Sequence, residues 1–180
     1  MAETAEKPTR TRRPTKAKQV EQSARAYFEA VAGRDIEAMA GYWDPEVILD
    51  LVPIGVKRGP AEYRAFFEEF FRAFPHSDFV VTRVTANADV AAVEWRMSGT
   101  FSGGPFQGIE PTGRRIDIRG CDCLDIKDGK ILKNTAFYDG MQFARAVGLL
   151  PPQDSGAERA IFQAFNAVTK VRKAVQERGK

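Results

Sequence analysis

Residues 114–126 read Arg114-Arg115-Ile116-Asp117-Ile118-Arg119-Gly120-Cys121-Asp122-Cys123-Leu124-Asp125-Ile126. The stretch alternates with period two. Ile116, Ile118, Gly120, Asp122, Leu124 and Ile126 share one face, and Arg115, Asp117, Arg119, Cys121, Cys123 and Asp125 share the other. Successive strand side chains point to opposite sides of a sheet, so this is a half-buried strand with one carboxylate, Asp122, among isoleucines and a leucine. Burying a carboxylate without a partner is costly, and the group responds by raising its pKa. Asp122 is therefore a candidate for acid–base work or for donating a hydrogen bond. A strand-edge aspartate near the rim, or one satisfied by a backbone cap, gives the same pattern.

The same period extends outward. Residues 79–86 and 90–102 read as strands, the second with Ala91, Val93, Trp95, Met97 and Phe101 on one face. A Gly/Pro-rich loop follows at 103–113. Asp128-Gly129 is a two-residue hairpin signal. It leads into a strand over 131–139 with Ile131, Thr135, Phe137 and Asp139 in phase, and then a short helix or turn over 140–147. Toward the N-terminus the period becomes helical. Val20, Ala24, Tyr27, Phe28 and Val31 form one stripe over 19–32, broken by Gly33. Asp35 is placed to cap a short second helix that carries Ile36, Met39 and Ala40, with Trp43 after it. Residues 47–52 read as a strand interrupted by Asp50. Gly59-Pro60 opens a third helix to residue 74, carrying Phe66, Phe67, Phe70, Phe71 and Phe74. Helices first and long strands after make an α+β fold, with helices on one face of a curved sheet.

The 180 residues hold one domain with appendages. Residues 1–18 carry six Lys/Arg against two Glu and read as a disordered basic tail. Residues 19–150 are the folded body. Residues 151–180 are a linker and a C-terminal amphipathic helix, opened by a capping box at Ser155–Glu158. Ile161, Phe165, Val168, Val171 and Val175 give that helix an apolar stripe to pack on its own domain or on a second subunit; a basic membrane-surface helix is the sharper alternative. Both ends are positive, so the body is net negative although the whole chain is +3. No nucleic-acid partner is expected, because no aromatics interleave with the tail's charges. No stretch spans a membrane and no signal peptide opens the chain, which reads as cytoplasmic. With one histidine, His76 in a loop, neither a His-rich metal site nor a Ser-His-Asp triad is expected. Cys121 and Cys123 are too close along one strand for an easy disulfide.

Residues 24–150 resemble the SnoaL-like polyketide and ester cyclase branch of the nuclear transport factor 2-like superfamily. The resemblance rests on Ala26-Tyr27-Phe28-Glu29-Ala30, on Trp43-Asp44-Pro45 with Asp50, on Gly59-Pro60 before the aromatic helix, and on Trp95 with Gly99-Thr100-Phe101. It also rests on Gly108-Ile109-Glu110-Pro111-Thr112-Gly113-Arg114 and on Asp122 before Asp128-Gly129-Lys130-Ile131. It implies a cone of helices folded against a strongly curved sheet around an apolar pocket. The stretch is similar to ketosteroid isomerases as well. That likeness implies Tyr27 and Asp122 as oxyanion-hole donors and Asp50 as base. The cyclases imply a late aspartate as acid–base, which Asp122 or Asp139 could be.

The constellation implies proton transfer next to a carbonyl, either ring-closing aldol cyclisation or double-bond isomerisation. A neutral Asp122 and Tyr27 would hold the enolate oxygen. Asp50 or Asp139 would take the proton. Trp95, Met97, Phe67, Phe71 and Trp43 would wall in a small hydrophobic, polycyclic substrate, with no metal or other cofactor and a homodimer as the expected assembly. The competing class is a non-catalytic small-molecule-binding or dimerisation module of the same fold. Epoxide hydrolase and dehydratase readings rank below both, since the strand around Arg96 lacks the second carboxylate that epoxide hydrolysis needs.

Overall fold

A computed structural model describes residues 14–178. The greater part of the expected basic tail, residues 1–13, lies outside the described residues. Residues 16–18 instead belong to the first helix, because Thr15 caps it by accepting from the Lys18 N–H at 3.3 Å. That helix, α1 (Lys16–Ala32), buries Val20, Ala24, Tyr27, Phe28 and Val31. It is followed by α2 (Ile36–Ala40), capped by Asp35 through the Ala38 N–H, and by strands β1 (Trp43–Leu51) and β2 (Gly55–Arg58). The aromatic helix α3 (Gly59–Ala73) comes next, with Pro60 in its first turn, where a missing N–H costs nothing. Then come β3 (Asp78–Ala86), β4 (Val90–Thr100), β5 (Arg115–Lys127) and β6 (Lys130–Tyr138). Two helices close the chain, α4 (Gly140–Val147) and α5 (Gly156–Arg178). The short strand β2 escaped the sequence reading, being four residues with no buried position.

The six strands form one mixed sheet in the order β2-β1-β6-β5-β4-β3. β1 runs parallel to β6, and the other neighbours are antiparallel. β4 and β5 pair without interruption from Val90↔Asp125 to Thr100↔Arg115. Their inward faces, Ala91, Val93, Trp95 and Met97 opposite Ile116, Ile118, Asp122 and Leu124, are buried as the alternation implies. Helix α1 covers β3, β4 and β5, and α3 covers β1 and β2. Arg34, at φ 59°, ties the two together: its guanidinium donates to the Phe71 and Phe74 carbonyls and lies over the Phe71 ring.

One strand departs from its expected phase. Asp125 pairs with Lys133 and Ile126 with Ile131, which leaves Leu132 as an extra residue on β6. Such a bulge re-aims every side chain beyond it. After Ile131 the buried positions are therefore Asn134 and Ala136, while Phe137 is 47 % exposed.

The C-terminal helix also departs from expectation. Ser155 caps it by accepting from the Glu158 N–H. The Glu158 carboxylate, however, takes the Asp154 N–H at 2.6 Å and pairs with Arg145 at 2.6 Å rather than closing the box on Ser155. Beyond that first turn the stripe Ile161, Phe162, Phe165, Val168, Val171 and Val175 stays between 52 % and 67 % exposed. It does not pack on its own domain. No described helix is long and apolar enough to cross a membrane.

Candidate active site

Between the sheet and helices α1 and α3 lies a narrow pocket with a cavity volume of about 80 Å³. Its wall is almost wholly apolar: Phe66, Phe67 and Phe70 from α3, Met97 and Ile118 from the sheet, and Phe106 and Phe143 near the chain's later loop and helix. Among the lining residues there is no Lys, Arg or His. The polar exceptions are Tyr27, Asp122, Asn134, Tyr138 and the indole nitrogen of Trp95.

Asp122 is 6 % exposed and both of its oxygens are engaged. The Trp95 Nε1–H donates to Oδ1 at 2.7 Å, and the Asn134 Nδ2–H donates to Oδ2 at 2.7 Å. Trp95 reaches Asp122 because its directly opposite partner on β5 is Gly120. A Cβ at Gly120 would stand 2.4 Å from the Trp95 ring and 2.5 Å from the Phe137 carbonyl oxygen. Gly120 leaves open the slot that the indole occupies.

Asn134 makes a second contact, donating to the Tyr63 hydroxyl at 3.1 Å. Tyr63 in turn shares a 2.9 Å hydrogen bond with the hydroxyl of Tyr27. Tyr63, Tyr27 and Asn134 are each no more than 1 % exposed. Trp43 stacks on Tyr63 with ring centroids 4.7 Å apart. The chain of contacts therefore runs Trp95–Asp122–Asn134–Tyr63–Tyr27, across two helices and three strands.

Burial sets the acidities here. It pushes Asp122 up to about 6, against the opposing pull of the Asn134 and Trp95 hydrogen bonds, which favour the charged form. Burial also raises Tyr27 well above the usual phenol range, helped by the neighbouring Tyr63, and raises Tyr63 too. Tyr138 is pushed up to about 12 by burial. Asp122 is thus a stronger base than a surface carboxylate. Two N–H donors aimed at it need an acceptor. The arrangement suits the anion.

The sequence-derived residues separate into two groups. Asp122, Tyr27, Trp95, Met97 and Phe67 meet at the pocket. Asp50, Asp139, Phe71 and Trp43 do not. Asp50 falls between inward-facing Leu49 and Leu51, so it points to the other side of the sheet, 3.3 Å from Lys133 Nζ. Asp139 is exposed and caps α4, accepting from the N–H groups of Met141 and Gln142. Phe71 lies under the Arg34 guanidinium instead of the pocket, and Trp43 supports Tyr63 from behind. Asn134 and Tyr63 were missed. Tyr63 shares the stripe of Phe66, Phe67 and Phe70 at helical spacing, so its direction was readable. Asn134 was hidden by the bulge at Leu132. Among the described residues no three His, Cys, Asp or Glu side chains cluster as metal ligands.

The family model for SnoaL-like polyketide cyclase matches residues 21–147. Solved structures with this fold include a candidate SnoaL-like polyketide cyclase from Jannaschia sp. CCS1, 23 % identical with a TM-score of 0.70, the match covering 78 % of this chain and 99 % of that one. AclR, a candidate hydroxylase from Streptomyces galilaeus, is 20 % identical with a TM-score of 0.67, over 87 % of this chain and 98 % of its own. A candidate ketosteroid isomerase from Kribbella flavida DSM 17836 is 26 % identical with a TM-score of 0.53, over 69 % of this chain and 80 % of its own. No curated protein matches the chain.

Proposed function

The chain belongs to the SnoaL-like polyketide cyclase family, and from that premise we propose that it moves a proton next to a carbonyl on an apolar, polycyclic small molecule, with Asp122 as the base. The observation that carries this reading is one ionisable carboxylate, 6 % exposed and raised to about 6, at the floor of an otherwise apolar pocket. A general base works best when its pKa lies near the working pH.

One carboxylate suffices for two related reactions. In ring-closing aldol cyclisation, Asp122 takes the proton from a carbon flanked by carbonyls. The resulting carbanion attacks a second carbonyl, and the alkoxide that forms takes the proton back. In double-bond isomerisation, the same group removes a proton from one carbon and returns it to another. Both balance without an added cofactor. In both, negative charge develops on a carbonyl oxygen, and the Tyr27 hydroxyl is the donor that would meet it. Removing a single positioned acid–base group typically costs about 100- to 10,000-fold in rate. The test is turnover of an anthraquinone ester awaiting ring closure and of a 3-oxo steroid with a movable double bond. Wild-type activity on one class, lost on that scale in Asp122→Asn, supports the reading.

One feature favours a non-catalytic binding module instead: both Asp122 oxygens already carry a donor. Binding of such molecules without turnover, unchanged in Asp122→Asn, would select that second reading.

A further inference from the structure

Asn134 holds an asymmetry that the proposed chemistry does not require by itself. Its Nδ2 serves two partners, Asp122 Oδ2 and the Tyr63 hydroxyl, while its Oδ1 is buried with no partner. An orphaned buried carbonyl is costly, so this orientation is held by what the nitrogen does. Turning the amide over would place the oxygen at both contacts instead. That orientation suits an Asp122 that carries a proton, because a carboxylic acid O–H then donates to Oδ1.

The orientation fixes the hydroxyls downstream. With the nitrogen inward, Tyr63 accepts from Asn134, and the Tyr63 proton has one acceptor, the Tyr27 oxygen at 2.9 Å. The Tyr27 proton is then free to point into the pocket that Tyr27 lines. With the oxygen inward, Tyr63 donates to Asn134 and accepts from Tyr27, so the Tyr27 proton turns away from the pocket.

We propose that Asn134 is the positioning residue that couples the charge on Asp122 to the direction in which the Tyr27 hydroxyl donates. The inference rests on the proposed proton transfer and adds to it that base and donor are ready together or not at all. A charged Asp122 draws the Asn134 nitrogen inward, which sends the Tyr27 proton to the substrate oxygen. A protonated Asp122 releases the amide and withdraws that donor. Trp95 from β4 and Asn134 from β6 bond Asp122 directly, Tyr63 from α3 and Tyr27 from α1 follow behind Asn134, and Tyr138 from β6 lines the same pocket with Leu49 and Leu51 from β1. All three tyrosines titrate above their usual range. A switch at mildly acid pH therefore belongs to Asp122 alone.

The primary test needs neither ligand nor turnover. The side-chain amide of Asn134 is followed by ¹⁵N–¹H NMR in the wild-type protein while the Asp122 carboxyl is followed by ¹³C through the same titration. The expected result is one midpoint for both, with the Asn134 amide protons shifted downfield on the basic side. Asn134→Leu should raise the Asp122 midpoint by about one to two pH units, since a hydrogen bond to the charged form is lost. Bound 2-acetylnaphthalene reports the far end of the chain through its carbonyl stretch. In wild type the stretch should drop to lower frequency as Asp122 ionises. In Tyr63→Phe the Asp122 titration should persist while the carbonyl step disappears. An Asn134 amide indifferent to Asp122 ionisation, or a carbonyl step intact in Tyr63→Phe, overturns the coupling. Coupling intact without turnover of either substrate class leaves this inference standing and removes the catalytic one.

Discussion

The two faces of the same sheet treat charge in opposite ways. On the outer face Arg96 pairs with Asp117, Arg83 with Glu94 and Lys133 with Asp50, all partly or largely in water. On the inner face one carboxylate stands with no cation, held by an indole and an amide. Surface pairs of the first kind contribute little to stability. A buried anion of the second kind costs stability, and its presence there needs a use. The comparison teaches that carboxylate number is a poor guide to the site. Sidedness decides, and in a strand sidedness is a matter of counting by two.

The largest expected effect tests that sidedness directly. Asp122→Asn should lower turnover by about 100- to 10,000-fold, whereas Asp50→Asn and Asp139→Asn should leave it unchanged and alter at most local stability. A loss in either of the latter equal to that in Asp122→Asn would break the division between faces.

The next effect concerns pH. A carboxyl raised to about 6 in the fold and near the ordinary value when unfolded binds more protons folded than unfolded between those values. Its contribution to stability is fully present below about pH 4 and is lost as pH rises through 6. Two pKa units amount to about 3 kcal/mol. Denaturant titrations from pH 4 to 7 should show a change of that size in wild type that is missing in Asp122→Asn. A variant whose pH profile parallels the wild type would place the titrating group elsewhere.

A smaller effect sharpens the picture of the inner face. Gly120→Ala puts a methyl into the slot that the Trp95 indole fills, and overpacking of this kind costs about 1–3 kcal/mol. Thermal melts should register it. If the indole yields instead, the Trp95 bond to Asp122 lengthens and the Asp122 midpoint rises. The same substitution at outward-facing Cys121 should do neither.

The smallest effect is expected at the C-terminus. A chain ending at residue 160 keeps the buried Glu158–Arg145 pair and loses only a stripe that is already exposed, so its melting midpoint should match the full chain while its solubility rises. A marked drop in the midpoint would mean that α5 supports the body.

What the chain reveals before folding divides along similar lines. The strand β5 and its long pairing with β4 were legible because a period of two over thirteen residues leaves one way to bury the isoleucines. Asp122 was legible for the same reason. Asp50 was placed by analogy at the pocket, although its position between Leu49 and Leu51 already set it on the other face. Asn134 was not legible. Its direction depends on one unpaired residue, Leu132, and a bulge arises from the pairing of two strands rather than from the pattern of either.

The parallel seam between β1 and β6 bears on how the molecule comes into being. It joins residues 48–51 to residues 133–136, with α3 and four strands threaded between them. Hairpins such as β4–β5 close short loops, whereas this seam closes one of more than eighty residues, and non-local pairing of that kind folds slowly, on the order of milliseconds to seconds. Asn134 sits on that seam, opposite Leu49. The pocket floor is therefore completed late, after the β4–β5 ladder exists, and pulse-labelled amide exchange should find β5 protected before β1.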